Sequence, residues 1–112
     1  MTLRPNQRKN KRTYVLNPAH IILKDHPFQL NDISNEGIGI LLEEGTPRFF
    51  IGERIEKIPI PLKSGAVCLT GVVSHISVNA KGTVCGIRFL LGADEYLTVV
   101  QFKEECNDPF QR

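Results

Sequence analysis

The run Ile58-Pro59-Ile60-Pro61-Leu62 restricts the possible folds more than any other part of the chain. Apolar side chains at every second position mark a half-buried strand, because successive residues of a strand face opposite sides. The two prolines fall on the other phase and remove two backbone donors, so this strand belongs at the edge of a sheet. An edge implies neighbours, and the sequence supplies them. Tyr14-Val15-Leu16 and Ile21-Ile22-Leu23, separated by the Asn17-Pro18 turn signal, read as a strand or as two short strands with a break. Phe28-Gln29-Leu30 leads into the polar turn Asp32-Ile33-Ser34-Asn35-Glu36-Gly37, and residues 38–42 continue as an apolar strand, which predicts an antiparallel pair. Beyond Lys63-Ser64-Gly65, residues 66–78 are rich in β-branched side chains, and the interior Gly71 predicts a bulge or sharp bend of the kind that closes a barrel. Asn79-Ala80-Lys81-Gly82 is the next turn and residues 83–90 the last strand.

Two segments stand outside this strand pattern. Residues 43–54 mix Gly45, Pro47 and Gly52 with charges around Phe49-Phe50-Ile51, predicting a loop with a short buried anchor. Toward the end, Ala93, Leu97 and Val100 recur at helical spacing with Asp94 and Glu95 in the first turn, where the helix dipole favours acids. The expected architecture is all-β with one C-terminal helix. A basic arm over residues 1–12 precedes an antiparallel barrel of about six strands over 13–92, and a helix over 93–106 packs on the barrel. A chain of 112 residues fits one domain and buries a modest core without disulfides or a metal.

Charge is unevenly placed. The net value is +2, but Arg4, Arg8, Lys9, Lys11 and Arg12 give the first twelve residues +5 with no acid. The remaining nine Lys or Arg against twelve Asp or Glu leave the body at −3. Such an arm cannot bury enough apolar surface to fix its own conformation, and it attracts phosphates, nucleic acid or acidic surfaces. Three cysteines, an odd number without metal-ligand spacing, indicate reduced thiols in the cytoplasm, with Cys68 and Cys85 acting as small hydrophobes in strands. No apolar run follows the basic start and none spans a bilayer, so neither a signal peptide nor membrane insertion is expected.

Catalytic patterns are missing. His20, His26 and His75 have no neighbours at ligand spacing, and Ser34 has no nucleophile elbow around it, so neither an enzyme nor a metal protein is expected. Read alone, Asp32 to Gly37 is a hairpin turn, with Gly37 supplying the positive φ of a tight connection. Read with the arm, it becomes half of an anion site. Guanidinium forks on Arg8 and Arg12 match phosphate oxygens or the O6 and N7 acceptors of guanine, while the Asp32 carboxylate matches the N–H donors on guanine's other edge. Ser34 can donate or accept beside it.

Arg8-Lys9-Asn10-Lys11-Arg12 followed by Asp32-Ile33-Ser34-Asn35-Glu36-Gly37 resembles the paired motif of the PilZ domain family, an Arg-x-x-x-Arg and a later Asp/Asn-x-Ser-x-x-Gly. Nineteen residues, 13–31, separate the two halves. Arg4-Pro5-Asn6-Gln7-Arg8 offers a second register, but in the family the second arginine directly precedes the first strand, as Arg12 precedes Thr13-Tyr14-Val15. Gly37-Ile38-Gly39-Ile40-Leu41, Gly71-Val72-Val73 and Gly86-Ile87-Arg88-Phe89 look like the family's later strands. The resemblance implies a six-stranded barrel that binds the second messenger cyclic di-GMP, with no other cofactor. Arg8 and Arg12 would hold guanine and phosphate, Asp32, Ser34 and Gly37 would shape the second guanine's site, Lys9 and Asn35 would lie in the same motifs, and His75 would stand near a further ligand contact. Gln7 sits where the family varies between one and two bound ligands. The implied protein is a cytoplasmic receptor, a monomer or weak dimer, whose arm orders on binding and signals to a separate effector protein. Two rivals remain: a barrel adaptor that binds no nucleotide, and a single-stranded nucleic-acid binder. The absence of Trp and the acidic surroundings of Phe49-Phe50 count against the second.

Overall fold

The structure is a computed structural model, and it describes residues 13–14, 19–80 and 82–106. Seven strands are described: β1 (Thr13–Tyr14), β2 (His20–Leu23), β3 (His26–Ile33), β4 (Gly37–Leu42), β5 (Arg54–Leu62), β6 (Gly65–Asn79) and β7 (Gly82–Leu90). Helix α1 spans Ala93–Cys106. The sheet runs in the order β1-β3-β4-β7-β6-β5, with β2 also paired to β3, and each pairing is antiparallel. Because β2 also lies against β5, the six-strand path curls toward a closed barrel.

Local chemistry accounts for the strands. In β5, Ile58 and Ile60 are fully buried while Pro59 and Pro61 take the other phase, and the strand ends the hydrogen-bonded path, where missing donors cost nothing. Its register slips between Ile55 and Ile58, so Glu56 and Lys57 form a bulge beside Gly71. The second slip lies in β6 between Val73 and His75, at Ser74. The bends expected at Gly71 are therefore made by the partner strand and by Ser74. Gly71 itself is needed for space, since a Cβ there would stand 2.7 Å from an Ile87 methyl carbon.

The β2–β3 hairpin turns on Lys24 and Asp25, both at positive φ (52° and 60°) with no glycine to ease it. Lys24 is held in place by an ion pair to Glu53 at 2.8 Å, by the Arg48 carbonyl and by the Phe49 ring, 4.4 Å from its ammonium. Glu53 also accepts the Phe50 N–H at 2.9 Å, and the Lys24 bond holds its carboxyl below the usual glutamate range. Of the expected anchor, only Phe49 is buried; Phe50 and Ile51 face solvent.

Helix α1 buries Val99, Phe102 and Cys106, leaving Leu97 exposed, so the stripe expected at Ala93, Leu97 and Val100 is rotated away from the core. Phe102 offers more apolar surface than any residue of that stripe and sets which face docks. Cys68 likewise departs from expectation: it is exposed opposite Pro59, whereas Cys85 and Cys106 are buried. Burial raises both of the latter thiols to about 11, which keeps them protonated and inert.

Candidate functional site

The site begins with an irregularity in β3. Phe28, Leu30 and Ile33 are all in the core, but the step from Leu30 to Ile33 is three residues where regular alternation needs two. The ladder accommodates it with a bulge: Leu30 pairs with Ile40 and Asp32 with Gly39, leaving Asn31 as the extra residue. Asp32 is thereby turned to the outer face of the barrel while Ile33 returns to the inside.

From Asp32 the pairing can be followed across the sheet. Tyr14 opposes Asp32, Asp32 opposes Gly39, Gly39 opposes Gly86, and Gly86 opposes His75. Residues directly opposite one another share a face, so this row places a carboxylate and an imidazole on either side of two adjacent glycines. Both side chains lean inward over that floor. A Cβ on Gly39 would lie 2.3 Å from Asp32 Oδ2, and one on Gly86 would lie 2.1 Å from His75 Cε1. The Ser74 hydroxyl, at the β6 bulge, donates to the Gly86 carbonyl at 3.2 Å and stands 3.2 Å from His75 Nδ1. Asp32 and Asn31 are the buried polar residues of the described structure, each 4% exposed, and Asn31 Nδ2 donates to Asp32 Oδ2 at 2.7 Å.

The turn that follows is fixed by its own backbone and hydroxyl. Ser34 N–H donates to the Gly37 carbonyl at 2.9 Å, and Ser34 Oγ accepts the Glu36 N–H at 3.2 Å. The Ser34 O–H keeps its own proton to donate. Gly37 is not at positive φ, contrary to expectation. It opens β4 opposite Arg88, and a Cβ would sit 2.0 Å from the Ile87 carbonyl oxygen, so the glycine is required by the close approach of β7. Asn35 Nδ2 donates to the Tyr96 hydroxyl on α1 at 3.3 Å, tying the turn to the helix.

Asp32 and His75 are thus brought onto one row, Ser34 and Asn35 lie in the turn beside it, and Gly37 sets the turn's seat against β7. Arg8, Lys9 and Arg12 lie outside the described residues, as do Arg4 and Gln7; Arg12 is covalently adjacent to Thr13, which pairs with Ile33. Two residues escaped the sequence reading. Asn31 was detectable from the three-residue step in β3. Arg88 was detectable from its phase, opposite to Ile87 and Phe89, and it projects as an exposed cation in the next outward row, Gly37–Arg88–Val72–Arg54. Among the described residues no group of three His, Cys, Asp or Glu side chains is placed to hold a metal ion, and no helix is long and apolar enough to cross a membrane.

The PilZ domain family model matches residues 6–102. Among solved structures, the chain is similar to the PilZ domain with c-di-GMP of YcgR from Escherichia coli, with a TM-score of 0.73 and 20% identity over 90% of this chain and 92% of that one. It is also similar to the K. pneumonia MrkH–c-di-GMP complex, at TM-score 0.68 and 14% identity over 86% of this chain and 50% of that one. The Bacillus subtilis inhibitor of motility MotI/DgrA gives TM-score 0.65 and 20% identity over 90% and 51%. The chain therefore spans about half the length of the last two. At these identities the likeness establishes the antiparallel barrel with its C-terminal helix. Among curated protein sequences, none matches the chain.

Proposed function

Because the chain belongs to the PilZ domain family, matched over residues 6–102, we propose that it is a receptor for cyclic di-GMP and performs no catalysis. The observation that carries this is the row in which Asp32 and His75 converge over Gly39 and Gly86, starting from a strand that directly follows Arg12. A base needs an acceptor for its N–H edge, which Asp32 supplies, and the two glycines make the room in which the Asp32 and His75 side chains lie on one face. Solved relatives with c-di-GMP in the barrel's family, YcgR and MrkH, support the choice of ligand.

In this reading Arg8 and Arg12 grip guanine O6 and N7 and the phosphates, with Lys9 adding charge. Asp32 accepts guanine N–H groups, Ser34 donates beside it, and His75 flanks the far side of the glycine floor. Asn35 and Gly37 shape the turn. The basic arm, residues 1–12, closes over the barrel when ligand arrives, and this order transition in the cytoplasm is the signal passed to a separate effector protein. The arm's +5 against the body's −3 gives the ligand's two phosphates a local counter-charge.

Calorimetric titration with cyclic di-GMP tests this, with GTP and a linear guanine dinucleotide as controls at the same salt. Wild type is expected to bind the cyclic ligand selectively. Arg12→Ala should lose about 1.5–3 kcal/mol, roughly ten- to hundredfold in Kd, while keeping a folded barrel. A folded Arg12→Ala that binds like wild type removes the paired-arginine role. No binding by folded wild type removes the receptor and leaves a nucleotide-free adaptor.

A further inference from the structure

Asn31 is the residue this site leaves unexplained. It is the extra residue of the β3 bulge, it is 4% exposed, and its Nδ2 donates to Asp32 Oδ2 at 2.7 Å. The Oδ1 on the same carboxamide is buried and has no hydrogen-bond partner among the described residues. A buried acceptor left unsatisfied is costly, and native structures keep one only where something else meets it. The direction of the amide is fixed, because the nitrogen must be the atom facing the carboxylate.

The result is two acceptors side by side in a water-poor corner: the Asp32 carboxylate and the Asn31 carbonyl oxygen. Resting on the receptor reading above, we infer that Asn31 is the guanine-selecting residue of the site. Guanine's Watson–Crick edge carries two adjacent donors, the ring N1–H and the exocyclic amine. Adenine offers an amine next to a ring acceptor, and hypoxanthine keeps the N1–H but has no amine. Asp32, held by Asn31 Nδ2, takes one guanine donor, and Asn31 Oδ1 takes the other. A base that lacks the second donor leaves Oδ1 unpaired on binding, and buried polar groups left unpaired are the strongest source of discrimination against an analogue. Approach is from the outer face, along the Asp32 and His75 side chains that lie over Gly39 and Gly86.

The probe is cyclic di-IMP, which differs from cyclic di-GMP only in lacking the exocyclic amines. Titrated into the full chain, wild type is expected to favour cyclic di-GMP at least about tenfold. Asn31→Ala should weaken both ligands through the lost hold on Asp32, but cyclic di-GMP by about tenfold more than cyclic di-IMP, collapsing the preference. A purely structural role, holding Asp32 alone, would weaken both ligands equally and overturn the inference, as would a wild type that does not distinguish them. Should Asn31→Ala not fold, the side-chain amide NMR signals of Asn31 in wild type decide. They should move on adding cyclic di-GMP and much less with cyclic di-IMP, and signals unmoved by cyclic di-GMP overturn it. Wild type that binds cyclic di-GMP without preference removes this inference alone, whereas wild type that binds neither ligand removes the receptor reading and this inference with it.

Discussion

Two neighbouring rows of one ladder do opposite work. Ile33, Ile38, Ile87 and Val73 oppose one another across β3, β4, β7 and β6 and are all buried on the inside of the barrel. Asp32, Gly39, Gly86 and His75 cross the same four strands next to them, on the outside. The first row is bulky, apolar and interchangeable in chemistry. The second sets two adjacent glycines between two polar residues, and the missing side chains make the room that Asp32 and His75 occupy. Stability and binding should therefore be separable by mutating adjacent positions.

The sharpest break in that comparison is Ile87→Ala. Removing a side chain that is 2% exposed at the centre of the inner row should cost about 2–5 kcal/mol in urea unfolding. Molecules that remain folded should bind cyclic di-GMP with unchanged affinity, so a selective loss of affinity would show the rows to be coupled. Gly39→Ala, one strand over on the outer row, should do the reverse. Its methyl group must displace the Asp32 carboxylate from its bond to Asn31. The fold should lose about 1 kcal/mol, while cyclic di-GMP affinity falls at least about tenfold. Unchanged affinity there would mean that the position of Asp32 does not matter to the ligand.

The smallest effect belongs to neither row. Glu53, whose carboxyl Lys24 holds below the usual glutamate range, contributes stability that is fully present above the ordinary glutamate pKa. That contribution disappears as pH falls through the lowered folded-state value. For a partly exposed pair it amounts to about 0–1 kcal/mol. Glu53→Gln should lower the urea midpoint slightly at neutral pH, and the gap from wild type should close in acid. A gap that persisted at acid pH would assign the loss to the Phe50 turn instead.

The inner row was legible from sequence because burial imposes alternation, and alternation is visible in Ile58-Pro59-Ile60-Pro61-Leu62 as readily as in the structure. Edge placement of that strand followed from proline chemistry alone, and the structure puts it at the end of the path. Asp32 and Ser34 stood out as turn residues. What the pattern did not convey was cross-strand register. No local feature says that Gly39 will oppose Gly86, or that His75 will reach the same row after the Ser74 bulge; that depends on the sum of three pairings. The Lys24-Asp25 turn was illegible for a related reason. Its positive φ values are held by Glu53 and Phe49, residues distant in sequence. Helix α1 was found but its docking face was misjudged, since several apolar stripes fit and only Phe102 decides among them.

The tie between Asn35 and the Tyr96 hydroxyl has an optical consequence. The chain has no tryptophan and two tyrosines, so its near-ultraviolet emission is tyrosine emission alone. One of those residues, Tyr14, is paired through its backbone with Asp32, and the other holds the amide of the motif turn through its phenol. The Tyr96 phenol is therefore a built-in fluorophore bonded to the motif turn, and a change at that turn should register in the unlabelled protein's own light.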